Sequence, residues 1–96
     1  MSELTVIAKV VAKKDTIEIV KEELLKLIAP TRNEKGCNEY ILHQDNEDPA
    51  LFIFYETWQS QDCLEQHMKS PHFKRYLAAV DGLIAEKVVY RMTVIT

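Results

Sequence analysis

The sequence predicts an α+β fold of the ferredoxin-like type, βαββαβ, with an antiparallel sheet roofed by helices on one side. Three observations predict it. Four short β-rich segments carry alternating apolar residues, and two intervening segments switch to a helical period. Dense turn chemistry separates the second and third strands, which marks them as a hairpin. With 96 residues, the chain is expected to form one domain over 1–96.

Leu4 to Val11 is the first strand. Leu4, Val6, Ala8 and Val10 fall on one face and Thr5, Ile7, Lys9 and Val11 on the other, and both faces are largely apolar. Lys13-Lys14-Asp15-Thr16 ends it and offers Asp15 or Thr16 as a helix N-cap. From Ile17 the apolar stripe is Ile17, Val20, Leu24, Leu27 and Ile28, with Glu18, Lys21, Glu22 and Lys26 opposite. Pro30 should kink the helix or end its regular part. Thr31 to Lys35 should add a turn closed by Gly36. Asn38 to Asp45 is the second strand, Asn46 to Pro49 the turn, and Ala50 to Trp58 the third strand. Ser60 caps a short helix through Leu64 and Met68. Ser70-Pro71 restarts a helix, because proline is favoured at the first helical position. Phe73, Tyr76, Leu77 and Val80 form its inner side, and it stops near Gly82. Val88 to Ile95 is the last strand.

Helices cover one face of such a sheet. The other, expected to carry Ile7, Val11, Ile41, Ile53, Tyr55, Val89 and Ile95, would leave a large apolar patch exposed. A second sheet from an identical chain would cover it, which predicts a barrel-like homodimer.

The formal net charge is −3, and the lysines and arginines are scattered. Neither suits nucleic acid. No apolar run approaches the roughly 20 residues that span a bilayer. Glu3 interrupts any secretion-signal pattern. A cytoplasmic protein is expected, in which Cys37 and Cys63 are reduced, small hydrophobes.

The chemistry is concentrated between Gly36 and Phe73. Glu56 and Trp58 lie two residues apart on one strand and so share a face. His67 follows on the next helix. A carboxylate on an apolar strand loses hydration and its pKa should rise. An imidazole titrates near neutrality, and an indole offers a flat wall with one donor. Tyr40 and Phe54 would extend the aromatic wall, and His72, Phe73 and Tyr76 would line or rim the same cavity. The purely structural alternative makes Trp58 and Phe54 core, with Glu56 paired to a backbone amide, Arg32 or Arg91. His67 and His72 invite a metal, with His43 or Cys63 as third ligand. The helix restart at Ser70-Pro71 argues that the imidazoles need not share a face, so no metal is expected. Gly36 and Gly82 stand alone, without a phosphate-cradling loop, so no nucleotide cofactor is expected either. No serine sits in a nucleophile elbow. Cys63 lies in a helix's first turn, but nothing near it marks a nucleophile.

At Gly36-Cys37, Glu56-Thr57-Trp58, His67 and Ser70-Pro71-His72-Phe73 the chain resembles the antibiotic biosynthesis monooxygenase family, above all its small stand-alone quinol monooxygenase type. The resemblance spans almost the whole chain. It implies a dimeric ferredoxin-like α+β barrel. It also implies oxygenation of a small phenol or quinol by O2 without metal or prosthetic group, the substrate supplying the electrons. It casts His67 as proton acceptor or shuttle, Glu56 as orienting partner or alternative base, and Trp58 as the stacking surface. Haem-degrading relatives carry an asparagine on the first strand and a histidine in the last helix; Thr5, Ile7 and Tyr76-Leu77 stand there instead. Aromatic oxygenases of the family carry an asparagine near the tryptophan, where Phe54 stands. Two other functions fit the same residues: an isomerase-type acid/base enzyme on a small oxygenated metabolite, and a non-catalytic dimeric binding or stress-response protein.

Overall fold

The structure, a computed structural model, describes residues 3–96. Strands β1 (Leu4–Ala12), β2 (Cys37–Gln44), β3 (Leu51–Trp58) and β4 (Ile84–Met92) form an antiparallel sheet in the order β2-β3-β1-β4. Helices α1 (Ile17–Lys26), α2 (Ile28–Arg32), α3 (Gln61–Met68) and α4 (Pro71–Ala79) interrupt them in the βαββαβ order of a ferredoxin-like fold.

Residues directly opposed in an antiparallel pair share a face. Val6 pairs with Glu56, which pairs with Tyr40; Ala8 pairs with Phe54, which pairs with Leu42. These rows meet Val20, Leu24, Leu27, Leu64, Tyr76 and Val80 from the helical layer in one core. The buried stripe Val20, Leu24 and Leu27 has the three-to-four residue spacing of a helix face. Pro30 has no N–H for the carbonyl four residues back, and the chain breaks there into α1 and α2 around Leu27. The Ser60 hydroxyl accepts from Cys63 N at 3.2 Å and the Ser70 hydroxyl from Phe73 N at 3.3 Å. Such caps contribute about 1 kcal/mol each.

Several expectations are corrected. Neither Asp15 nor Thr16 caps α1 through its side chain: Lys14–Thr16 form a 3-10 turn instead. The Thr16 hydroxyl contacts the carbonyls of Lys13 and Leu83, both at 2.9 Å, which ties the helix start to the chain entering β4. Helical structure ends at Arg32, and residues 33–36 form a turn that Gly36 completes at φ +86°. β4 begins at Ile84, not Val88, because pairing with β1 starts at Ala12 opposite Ile84, just past Gly82. Val89 pairs with Ala8 and therefore lies on the helix side. Ile95 lies beyond β4 and is 92% exposed.

The uncovered face carries Ile7, Ile41, Ile53, Tyr55, Val88, Tyr90 and Met92. Ile41, Tyr90 and Met92 are exposed. On the opposite side the helical layer stops short of β4, where Lys87, Val89 and Arg91 are exposed. That gap opens the cavity described next.

Candidate active site

Between the sheet and the helices lies a cavity of about 340 Å³. Val6, Ala8 and Val10 form its floor, and Leu24, Leu27, Leu64 and Leu77 its helical wall. Tyr40, Phe54, Glu56, His67, Phe73 and Tyr76 all line it, six of the eight residues that the sequence singles out. The volume lies within the range typical of small-molecule sites.

The remaining two, Trp58 and His72, do not line it. Trp58 is wholly buried behind the wall, so it offers no surface for a ligand to stack on. Its Nε1–H donates to Glu56 Oε1 at 2.8 Å, and its ring stands 4.9 Å from the His67 imidazole. Glu56 therefore pairs with the indole, while Arg32 donates from Nε and Nη2 to the Tyr40 carbonyl at 3.1 and 2.9 Å. Tyr40 and Phe54 stack at 4.3 Å, and Phe73 closes on His67 at 4.9 Å.

Burial dominates the electrostatics. Loss of hydration pushes the Glu56 carboxyl up to about 7, against the indole N–H, which favours the carboxylate. Desolvation lowers His67, and the neighbouring Glu34 opposes that shift. Desolvation also raises the Tyr40 phenol, helped by Glu56, and pushes Tyr76 up to about 12. Burial thus favours the uncharged form of each group in the cavity: the carboxyl of Glu56, the imidazole of His67 and the phenols of Tyr40 and Tyr76. Cys37 is pushed up to about 11, chiefly by burial, and is no thiolate.

Glu34 is the site residue that sequence reasoning missed. It sits in the turn between α2 and β2, and its Oε2 lies 2.7 Å from His67 Nδ1 and 2.6 Å from His72 Nε2. The two imidazoles do converge, which removes the spacing objection to a metal. A glutamate in an irregular turn has no periodicity to betray it; its place two residues before Gly36 was the available signal. Gly36 has no room for a side chain, since a Cβ would strike Cys63 Sγ and lie 2.8 Å from Cys63 Cβ. With Gln59 N donating to Gly36 O at 2.7 Å, that contact holds the turn against α3. The three donor atoms of Glu34, His67 and His72 lie within 4.8 Å of one another, a set of ligand types that suits a divalent transition metal. Ligands about 2.1 Å from a tetrahedral or octahedral ion stand roughly 3 Å or more apart, whereas these N···O contacts have hydrogen-bond lengths.

A ferredoxin-like α+β fold enclosing an apolar cavity with one carboxyl and one imidazole defines the class of protein. The chain belongs to the antibiotic biosynthesis monooxygenase family, whose model matches residues 3–79. PA3566 of Pseudomonas aeruginosa superposes with a TM-score of 0.96 at 33% identity, covering 100% of this chain and 97% of that one. Rv0793 of Mycobacterium tuberculosis, a monooxygenase by provisional name, is 33% identical over 87 residues, covering 91% of this chain and 85% of its own length. Its structure superposes with a TM-score of 0.91. YgiN of Escherichia coli, named a probable quinol monooxygenase, is 29% identical over 93 residues, covering 86% of this chain and 89% of YgiN. Another curated relative, 31% identical, is matched over only 48% of its length. Among the described residues no helix is long and apolar enough to cross a membrane.

Proposed function

We propose that the chain oxygenates a small phenol or quinol with O2, with His67 as the base and no bound redox cofactor. The observation that carries this reading is the pairing of a neutral imidazole and a desolvated carboxyl in the wall of one apolar cavity. His67 takes the proton of a substrate hydroxyl. Glu56, oriented by the Trp58 indole, faces the same cavity as a second proton-transfer group. Apolar walls keep water from the anion and favour its reaction with oxygen. A quinol then supplies all four electrons: two as one ring carbon is hydroxylated, two as the quinol becomes a quinone. One oxygen atom enters the ring and the other leaves as water. The family match and the monooxygenase names of Rv0793 and YgiN support the reaction class.

The same reading includes a homodimer joined through the uncovered sheet face, which would bury Ile41, Tyr90 and Met92. It also includes the cytoplasm, where the free thiols Cys37 and Cys63 would stay reduced.

The test is oxygen uptake with a panel of dihydroxy-aromatics, coupled to mass spectrometry under 18O2. One labelled atom in the product, and loss of uptake in His67→Ala, are expected. Turnover of a substrate without oxygen consumption would replace the oxygenase with an acid/base isomerase, and tight binding without turnover would replace it with a binding protein.

A further inference from the structure

Glu34 touches both histidines, yet the reaction above gives it no part. We propose that Glu34 is a positioning carboxylate that holds the His67 proton on Nδ1 and leaves Nε2 as the basic nitrogen, while His72 anchors it as a second donor. The proposal rests on His67 being the cavity's base.

Hydrogen-bond accounting assigns the protons. An ionised carboxylate only accepts, and a single oxygen, Oε2, meets His67 Nδ1 at 2.7 Å and His72 Nε2 at 2.6 Å. With Glu34 acting as the acceptor, each of those nitrogens carries hydrogen. Among the described residues His67 Nε2 has no hydrogen-bond partner, and it is not among the fully buried polar atoms left without one. Since His67 lines the cavity, that nitrogen is the one open to a ligand.

The device is built from three separate elements. Glu34 comes from the turn locked by Gly36, His67 from α3 and His72 from the first turn of α4. The side chains of Glu34 and His72 are each 14% exposed and that of His67 3%, so the contacts are shielded from competing water. The titratable groups against His67 are Glu34 from the turn, His72 from α4 and Tyr40 from β2, while Tyr76 from α4 and Glu56 from β3 line the same cavity. Of these, Glu34 and no other is hydrogen-bonded to its ring among the described residues. When Nε2 takes a substrate proton, the imidazolium forms already paired to a carboxylate. The logic is that of a base oriented by a buried acid.

The test needs no substrate. Long-range 15N–1H spectra of the purified chain should show His67 protonated on Nδ1 and bare on Nε2, and His72 the reverse. Glu34→Gln retains an acceptor oxygen and should preserve the His67 tautomer while lowering the pH at which that ring protonates. Glu34→Ala should lose the tautomer. Where oxygen uptake is found, Glu34→Ala should lower kcat by about 10²-fold or more and leave KM nearly unchanged. A wild-type His67 protonated on Nε2 would overturn the proposal. So would Zn2+, added alone, binding one per chain and removing the protons from both ring nitrogens. The stated tautomers with no uptake from any phenol would sink the oxygenase and leave this assignment standing. Turnover with the opposite tautomer would do the reverse.

Discussion

The two faces of the sheet each depart in one respect from the usual distribution of polarity. The helix-covered face buries Glu56, which lines one cavity with the buried His67, whereas the uncovered face exposes Ile41, Tyr90 and Met92. Ionisable side chains are seldom fully buried without a partner, and each here has one: Trp58 for Glu56, Glu34 for His67. Apolar area left in water has no such compensation. The contrast teaches that one face buries paired ionisable groups beside a cavity, while the other leaves large apolar side chains in water.

The sharpest way to break the comparison is His67→Ala. Turnover should fall about 10²- to 10⁴-fold, the range general acid–base catalysis supplies, as measured by initial oxygen-uptake rates. Trp58→Ala should cost about 3–5 kcal/mol in urea unfolding, since it empties a fully buried site and strips Glu56 of its donor. Tyr90→Ala, on the open face, should cost a small fraction of that in a dilute sample.

The pH dependence of Glu56 follows with the next largest effect. Its carboxyl rises from 4.5 to about 7 in the folded chain. The folded state therefore holds a proton that the unfolded state releases between those values. Stability from this group is complete below about 4.5 and is lost as pH rises through about 7, by roughly 3 kcal/mol. Glu56→Gln should flatten that slope in denaturation series at pH 5 and pH 8; an unchanged slope would refute the assignment. On the contact face, sedimentation should give twice 11.1 kDa, and Tyr90→Glu should shift it toward the single mass. The smallest effect belongs to Lys9→Ala. Its ion pair with Glu86, 3.1 Å long and largely solvated, should contribute under about 1 kcal/mol.

Much of this layout was legible in the sequence. Period two in Leu4 to Val11 and period three-to-four from Ile17 fix the element types, and Ser60 and Ser70 fix two helix starts. Alternation along the strands put Tyr40, Phe54 and Glu56 on one face, and the structure has them line one cavity with His67, Phe73 and Tyr76 from the helices. What failed was non-local. The face of Val89 depends on its register against β1, and a strand that starts among Ala85, Glu86 and Lys87 gives no apolar signal. Trp58 looked like a ligand wall because spacing sets the face but not the depth. Glu34 had only the nearby Gly36 to mark it, since its contacts depend on a turn meeting two histidines more than thirty residues later.

The strand order has a consequence for how the molecule is made. β1 occupies an interior lane of the sheet, yet its two neighbours, β3 and β4, are translated some forty and seventy residues after it. Until they emerge, its backbone donors and acceptors have no ladder to join. Such distant pairings slow a chain's search for its native contacts. A nascent chain halted before residue 84 would have the aromatic wall and both histidines, but an unfinished rim. A chaperone that shields β1 during that interval should raise the yield of active protein more than one acting on the finished fold.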